Sequence, residues 1–314
     1  DRPLPAPMTL HVDATDVERA IFRVQQTIAV ETGKPLILLY PQWLPGKHGP
    51  RGALAEMTGL MIRADGKTLR WTRDPVQVYA FHVDIPEGTK AVDVEFQFTS
   101  PIRDSEGRIV VTPNMMNVQW EQVALYPAGH FTRAIQVKPS IVLPEGWTGV
   151  AALDGATITG NRIDYGLTSF ETLVDSPMFA GPHYKKWDLG HNVTLNVWAD
   201  DAKYLAAKPE QIAAHRALVD ESLLLFGSKH FDRYEFLLGL TTEQLVALET
   251  ADVAALSLTA LRALGTAQVA ALQTAQVTQL ATSQVAGLST DNFNALSTAQ
   301  MAALTSTQVA AITG

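Results

Sequence analysis

Any chemistry in this chain must come from histidine, carboxylate, hydroxyl and aromatic groups. The sequence has no cysteine, which excludes thiolate metal sites, thiol nucleophiles and disulfides. Its eight histidines are His11, His48, His82, His130, His183, His191, His215 and His230. No two lie four apart, the spacing that stacks side chains on one helical face, and none is followed by glutamate. Two loops concentrate the other reactive types. The first, residues 39–52, reads LYPQWLPGKHGPRG. Its prolines and glycines fix the backbone, so that Trp43, Lys47, His48 and Arg51 can converge on a carboxylate or a peptide. The competing reading is a rigid inter-strand loop whose tryptophan packs on a sheet. The second loop, residues 171–183, places Asp175 and His183 eight apart around two prolines. They form either a metal or acid/base pair, or a turn capped by Asp175. His215 and Glu221 are six apart on an expected helix, about 600° of rotation, so they face different ways.

The elements that must position these loops are mostly strands. Period-two alternation runs through Val92, Val94, Phe96 and Phe98, and through Val193, Leu195 and Val197. Val76, Val78, Phe81 and Val83 read similarly, with a slip near Ala80. Asp65-Gly66, Pro86-Glu87-Gly88, Glu106-Gly107 and Pro144-Glu145-Gly146 mark turns, and Asp65-Gly66 predicts a hairpin within 60–73. Residues 1–200 are therefore expected to form a mainly β domain, an antiparallel sandwich or a large curved sheet. Asn192-Val193-Thr194 has the form of a glycosylation sequon but falls in an expected strand. Residues 201–240 read as a helix opened by Pro209 and closed by Gly227, then a buried strand from Tyr234 to Leu240. That is how an α/β domain begins, and only its beginning is present.

Composition narrows the partners. The net charge of −8 argues against a broad phosphate-binding surface, so nucleic acid is excluded as an expectation. No apolar run reaches the ~18 residues of a membrane span. Hydrophobic residues make up 46% of the chain, enough for a sizeable core. The Pro-rich opening DRPLPAPMTL reads as a mature end left after removal of a signal peptide, which points to a periplasmic or extracellular location.

The stretches LYPQWLPGKHGPRG, VTPNMMNVQW at 111–120, TLVDSPMFAGPHYKKWDL and FGSKHFDRYEFLL resemble the glycyl aminopeptidase family over residues 8 to about 240. The resemblance implies secreted or periplasmic bacterial zinc peptidases: an N-terminal β-domain, a thermolysin-like catalytic domain opening with the helix and strand at 209–240, and a PDZ-like domain. It also implies an H-E-x-x-H motif shortly after, with two zinc-binding histidines and a glutamate as general base. This chain departs there, for no histidine follows His230. No catalytic residue and no zinc ligand can be carried over, so the expectation is a non-catalytic piece without a cofactor.

From Thr242 to Thr313 an octad repeats nine times, T-A-Q-V-A-A-L-S in its plainest form. A continuous helix would turn about 800° per octad, so its apolar stripe would drift about 80° each time. Each octad is therefore expected to form a short helix and restart, capped by Ser or Thr, as in the capping-box spacing of Ser297-Thr298-Ala299-Gln300. Positions four and seven would pack between neighbours in a thin solenoid; the alternative is a low-complexity tail. The expected domains are 1–200, 201–240 and 241–314. The expected partners are a peptide or protein at the first, and self-association through 242–313. A second reading makes the repeat the working part of an exported structural or adhesive protein, with the β-domain as headpiece.

Overall fold

The computed structural model describes residues 4–31, 35–43, 49–50, 52–100, 111–240, 254–258, 261, 266–270 and 272–313. The chain divides into two compact units, Asp1–Gly239 and Leu240–Gly314.

The first unit is mostly β. Its largest sheet has nine strands, and its centre is Met8–Asp16, Ile21–Ala29 and Ala91–Thr99. The alternation in 91–99 works as expected: Val92, Val94, Phe96 and Phe98 are all buried, and the intervening residues are more exposed. Not every pairing is antiparallel. Met8–Asp16 runs parallel to Gln136–Val142, which the long intervening chain permits. Smaller sheets of four, four and three strands complete the unit among the described residues. Leu36–Leu39 pairs with Ala80–Val83 and with Tyr126–Pro127, an arrangement that positions the first reactive loop.

Local chemistry explains the turns and one correction. Asp65 and Gly66 both adopt positive φ, at 49° and 76°, the conformation a tight two-residue hairpin needs. The strand expected through Val76 and Val78 begins only at Ala80. Asp74 accepts hydrogen bonds from the N–H groups of Val76 and Gln77, so an Asp-Pro turn wins over the apolar alternation and leaves both valines exposed. The short helix α1 (Phe170–Val174) is capped by Ser169, and α2 (Pro209–Phe226) ends at Gly227, φ 65°. The strand Tyr234–Leu240 forms where expected but is not buried. Tyr234, Phe236 and Leu238 project outward and are exposed.

The second unit is a series of short helices: α3 (Thr266–Ala270), α4 (Thr274–Gln279), α5 (Thr282–Ala286), α6 (Thr290–Asn294), α7 (Thr298–Ala303) and α8 (Ser306–Thr313). Each packs on the helix three octads away, α3 on α6, α4 on α7 and α5 on α8. Positions four and seven build the core, with Val269, Val277, Val285, Leu280 and Leu296 buried. Ser289, Ser297 and Thr305 cap helix starts as expected. The glutamine at position three is buried at Gln284, Gln300 and Gln308. Gln300 accepts from the Ser297 N–H through Oε1, 2.6 Å, while its Nε2 donates to the carbonyls of Val269, Ala270 and Leu272. Gln308 repeats this on Thr305 and on Val277, Thr278 and Leu280. Gln284 does so on Ala281 and on Ala254 and Leu256.

Two departures from the repeat compensate each other. Gly287 stands where most octads carry alanine, and Leu258 where most carry threonine. A Cβ on Gly287 would lie 2.5 Å from the Leu258 side chain. Gly287→Ala should therefore destabilise the array by about 1–3 kcal/mol through overpacking, measured by denaturant unfolding of the helical signal. Combined with Leu258→Thr, the same substitution should cost less, because the side-chain part of the clash is removed; equal costs in both backgrounds would disprove the pairing. Gln300→Ala should cost about 1–3 kcal/mol for each buried backbone group left unpaired, by the same measurement.

Candidate functional site

Of the expected cluster on the first loop, Trp43 is placed and Lys47, His48 and Arg51 lie outside the described residues. Trp43 follows Leu36–Leu39 and is 64% exposed, so it does not pack down on a sheet. Its loop is braced from below. Tyr40 is buried, its N–H donates to the carbonyl of Tyr79 at 2.9 Å, and its hydroxyl donates to the carbonyl of Gln122 at 3.0 Å. Burial first, then the Glu121 and Glu56 carboxylates, push the Tyr40 hydroxyl far above the ordinary phenol value, so it stays a donor. Tyr79 Oη donates to the carbonyl of Gly52. A Cβ at Gly52 would fall 2.1 Å from the carbonyl oxygen of Pro41, so only glycine lets the two ends of the loop approach this closely.

Trp43, Tyr40, Gln42, Gln77, Tyr79 and Tyr126 line a cavity of about 120 Å³. That volume suits one side chain rather than a drug-sized ligand. Aromatic walls with two amides can hold an apolar or aromatic side chain and hydrogen-bond the backbone carrying it. Tyr40, Gln77, Tyr79 and Tyr126 were not singled out in the sequence; Tyr79 and Gln77 follow the Asp74-Pro75 turn that the apolar alternation masked.

Asp175 and His183 do not form a pair. The four-residue strand Met178–Gly181 separates them, about 13 Å of extended chain. Asp175 is exposed and stands at the C-terminal end of α1, its N–H donating to the carbonyl of Glu171, while Ser169 caps the start of the helix. His183 instead neighbours Asp201. The carboxyl of Asp201 is held below its ordinary value by Lys203, 2.8 Å away, with a smaller contribution from His183.

The other described histidines are engaged separately. His11 meets Ser140 at 3.0 Å, His82 meets Asp74 at 2.9 Å, and His191 meets Asp220 at 2.9 Å. His215 contacts the carbonyl of Gln211, His130 lies 3.9 Å from Glu31, and the His230 ring packs against Phe231. Among the described residues no three histidine or carboxylate groups converge. None of these histidines belongs to an H-E-x-x-H motif.

A second, apolar concavity of about 240 Å³ lies between α2 and the strand Tyr234–Leu240, lined by Leu218, Leu223, Phe226, Phe231, Tyr234 and Phe236. Leu224, Leu225 and Phe226 extend this apolar surface as exposed side chains.

The turn that carries Gln77 and Tyr79 depends on Asp74. Hydrogen bonding from His82 first, then from the N–H groups of Gln77 and Val76, holds the Asp74 carboxyl at about 2. A depressed carboxyl stabilises the turn above its ordinary value of 3.8 and loses that contribution as pH falls through about 2. The Val76 and Gln77 amides should stay protected from hydrogen exchange down to that pH and lose protection below it. Asp74→Ala, which removes the acceptor, should expose them at neutral pH as well; unchanged protection would disprove the clamp.

Residues 9–182 match the Peptidase M61 N-terminal domain, and residues 245–282 and 279–313 match the ALTTAQ repeat. No curated protein matches the chain. Among solved structures, an aminopeptidase N family protein from Idiomarina loihiensis aligns with a TM-score of 0.61 and 16% identity, covering 74% of this chain and 39% of its own. Native yeast LTA4 hydrolase gives 0.45 and 10%, covering 76% of this chain and 37% of its own. An M1 zinc metallopeptidase from Deinococcus radiodurans gives 0.39 and 14%, covering 76% and 57%. The chain thus spans well under half of the first two and shares the aminopeptidase N-type fold over its first unit. Through residues 9–182, more than half its length, the chain belongs to the Peptidase M61 N-terminal domain family.

Proposed function

We propose that this chain is a non-catalytic N-terminal part of a glycyl aminopeptidase-like metallopeptidase, joined to a repeat array, and that it binds a peptide or partner segment without hydrolysing it. The observation that carries the binding half is the outward-facing Trp43 on a loop braced by Tyr40, Tyr79 and Gly52. An exposed aromatic with only two side-chain torsions, beside a one-side-chain cavity, loses little entropy on binding. The non-catalytic half rests on the sequence, which contains no H-E-x-x-H. The secreted or periplasmic location implied by the resemblance is part of the same reading. So is the suggestion that the apolar surface of α2 and Tyr234–Leu240 is the place where the rest of a longer fold would pack.

Two measurements test this. Gly- and Ala-p-nitroanilide should not be turned over with or without added zinc; zinc-dependent turnover would overturn the non-catalytic half. Peptides with an apolar side chain should shift tryptophan fluorescence on titration. Trp43→Ala should weaken that binding by about 2 kcal/mol, roughly thirtyfold in Kd, as for a central aromatic anchor. Binding unchanged by Trp43→Ala would place the contact elsewhere.

A further inference from the structure

The cavity beside Trp43 restricts its occupant more tightly than its size alone. No described residue that lines it carries a charge, so a peptide end, which brings an amine or a carboxylate, finds no counter-charge among them. At about 120 Å³ it takes one side chain, whereas a docked helix needs a groove for several anchors. Strand addition is blocked at the neighbouring sheet edge, Tyr126–Pro127, which pairs with Leu39 and Leu38. The Ala128 N–H points inward, to the carbonyl of Ile37. Successive N–H groups of a strand point opposite ways, so the outward position falls on the nitrogen of Pro127, which has no hydrogen to give.

The hydrogen-bonding groups of the site are one-sided as well. The hydroxyls of Tyr40 and Tyr79 are already spent on the carbonyls of Gln122 and Gly52. The Trp43 indole N–H and the side-chain amides of Gln42 and Gln77 make no hydrogen bond among the described residues. An indole nitrogen only donates, and each amide carries two N–H hydrogens against one oxygen. Unpaired donors therefore outnumber unpaired acceptors. The matching ligand brings an apolar ring and carbonyls, and asks for few acceptors in return.

We infer that the occupant is a proline ring on a neutral segment of another protein, held in the polyproline conformation. Its ring sits among Tyr40, Trp43, Tyr79 and Tyr126, and its flanking carbonyls accept from Trp43 Nε1 and from the Gln42 and Gln77 amides. The inference rests on the binding function proposed above and names its ligand. A polyproline segment has no internal hydrogen bonds, keeps its carbonyls free and has little entropy left to lose. Proline brings no N–H, so nothing on the ligand goes unpaired in a site short of acceptors. The chain's own proline-rich start is engaged elsewhere: Leu4, between Pro3 and Pro5, packs against the β core and lines a separate cavity.

Fluorescence anisotropy of labelled, end-capped peptides tests this on the full chain. Ala-Pro-Pro-Pro-Ala should bind at least about tenfold more tightly than Ala-Leu-Leu-Leu-Ala. Trp43→Ala should weaken the proline peptide by at least about tenfold. Gln77→Leu, which removes a donor at similar size, should weaken it by about threefold or more. Both positions are exposed, and circular dichroism should show both variants folded like the parent. Unchanged affinity in either variant overturns the assignment to this cavity. Equal binding of the two peptides overturns the choice of proline and leaves the peptide-binding function standing; binding of neither overturns both. A gain of about tenfold from uncapping either end would mean capture of a chain terminus, and it too defeats the inference. So does self-association in sedimentation that Trp43→Ala abolishes, which would make the occupant a second copy of this chain.

Discussion

Both units rely on one constraint: backbone groups that local structure cannot pair must be paired by side chains that donate and accept at once. An α-helix leaves its first four N–H and last four C=O groups without internal partners. In a helix of five to eight residues, that is nearly the whole helix. A serine or threonine cap answers for one N–H. The glutamine at the third position answers for several more groups, because its Oε1 takes the N–H of the capping residue while its Nε2 reaches the carbonyl end of a distant helix. Alanine-rich octads with small apolar residues could not stand alone. The amide turns each helix start into the seal for another helix's end, which is why these glutamines are buried instead of solvated.

The β unit uses the same device once at its centre. Gln26 occupies an inward, apolar position in Ile21–Ala29. Its Nε2 donates to the carbonyl of Leu125 and its Oε1 accepts from the Leu125 N–H. The side chain thus behaves like a length of neighbouring strand, and a buried loop segment is satisfied without a ladder of its own. Nearby, the Tyr40 hydroxyl closes the carbonyl of Gln122. The floor under Trp43 is therefore a set of paired backbone groups. That pairing lets the loop hold its tryptophan in solvent instead of collapsing onto the sheet.

Legibility in the sequence follows from whether a residue's role is local. Alternation at 92–98, the Asp65-Gly66 hairpin, and the Pro209 and Gly227 ends of α2 are set by nearest neighbours, and all were readable. Val76 and Val78 misled because an Asp-Pro turn outcompetes two valines. Tyr234–Leu240 was readable as a strand but not as an exposed one, since exposure depends on what lies beside it. The burial of Gln284, Gln300 and Gln308 was not readable, because their partners lie 28 to 31 residues earlier. The Trp43 cavity was half-legible: its tryptophan stood out, but Gln77, Tyr79 and Tyr126 reach it only through strand pairing. Asp175 and His183 show the converse, since two reactive residues in one short loop can still point to separate ends of a strand.

The repeat also shows that near-identity along a sequence does not mean interchangeability in the fold. Leu258 and Gly287 depart from the pattern in opposite senses, one larger and one smaller, and they meet. Asp252 and Ala260 depart at the position that elsewhere supplies the sealing amide. Asn292 departs there too, and it is buried as the glutamines are. The places where the octad breaks its own rule therefore carry more information about packing than the places where it keeps it.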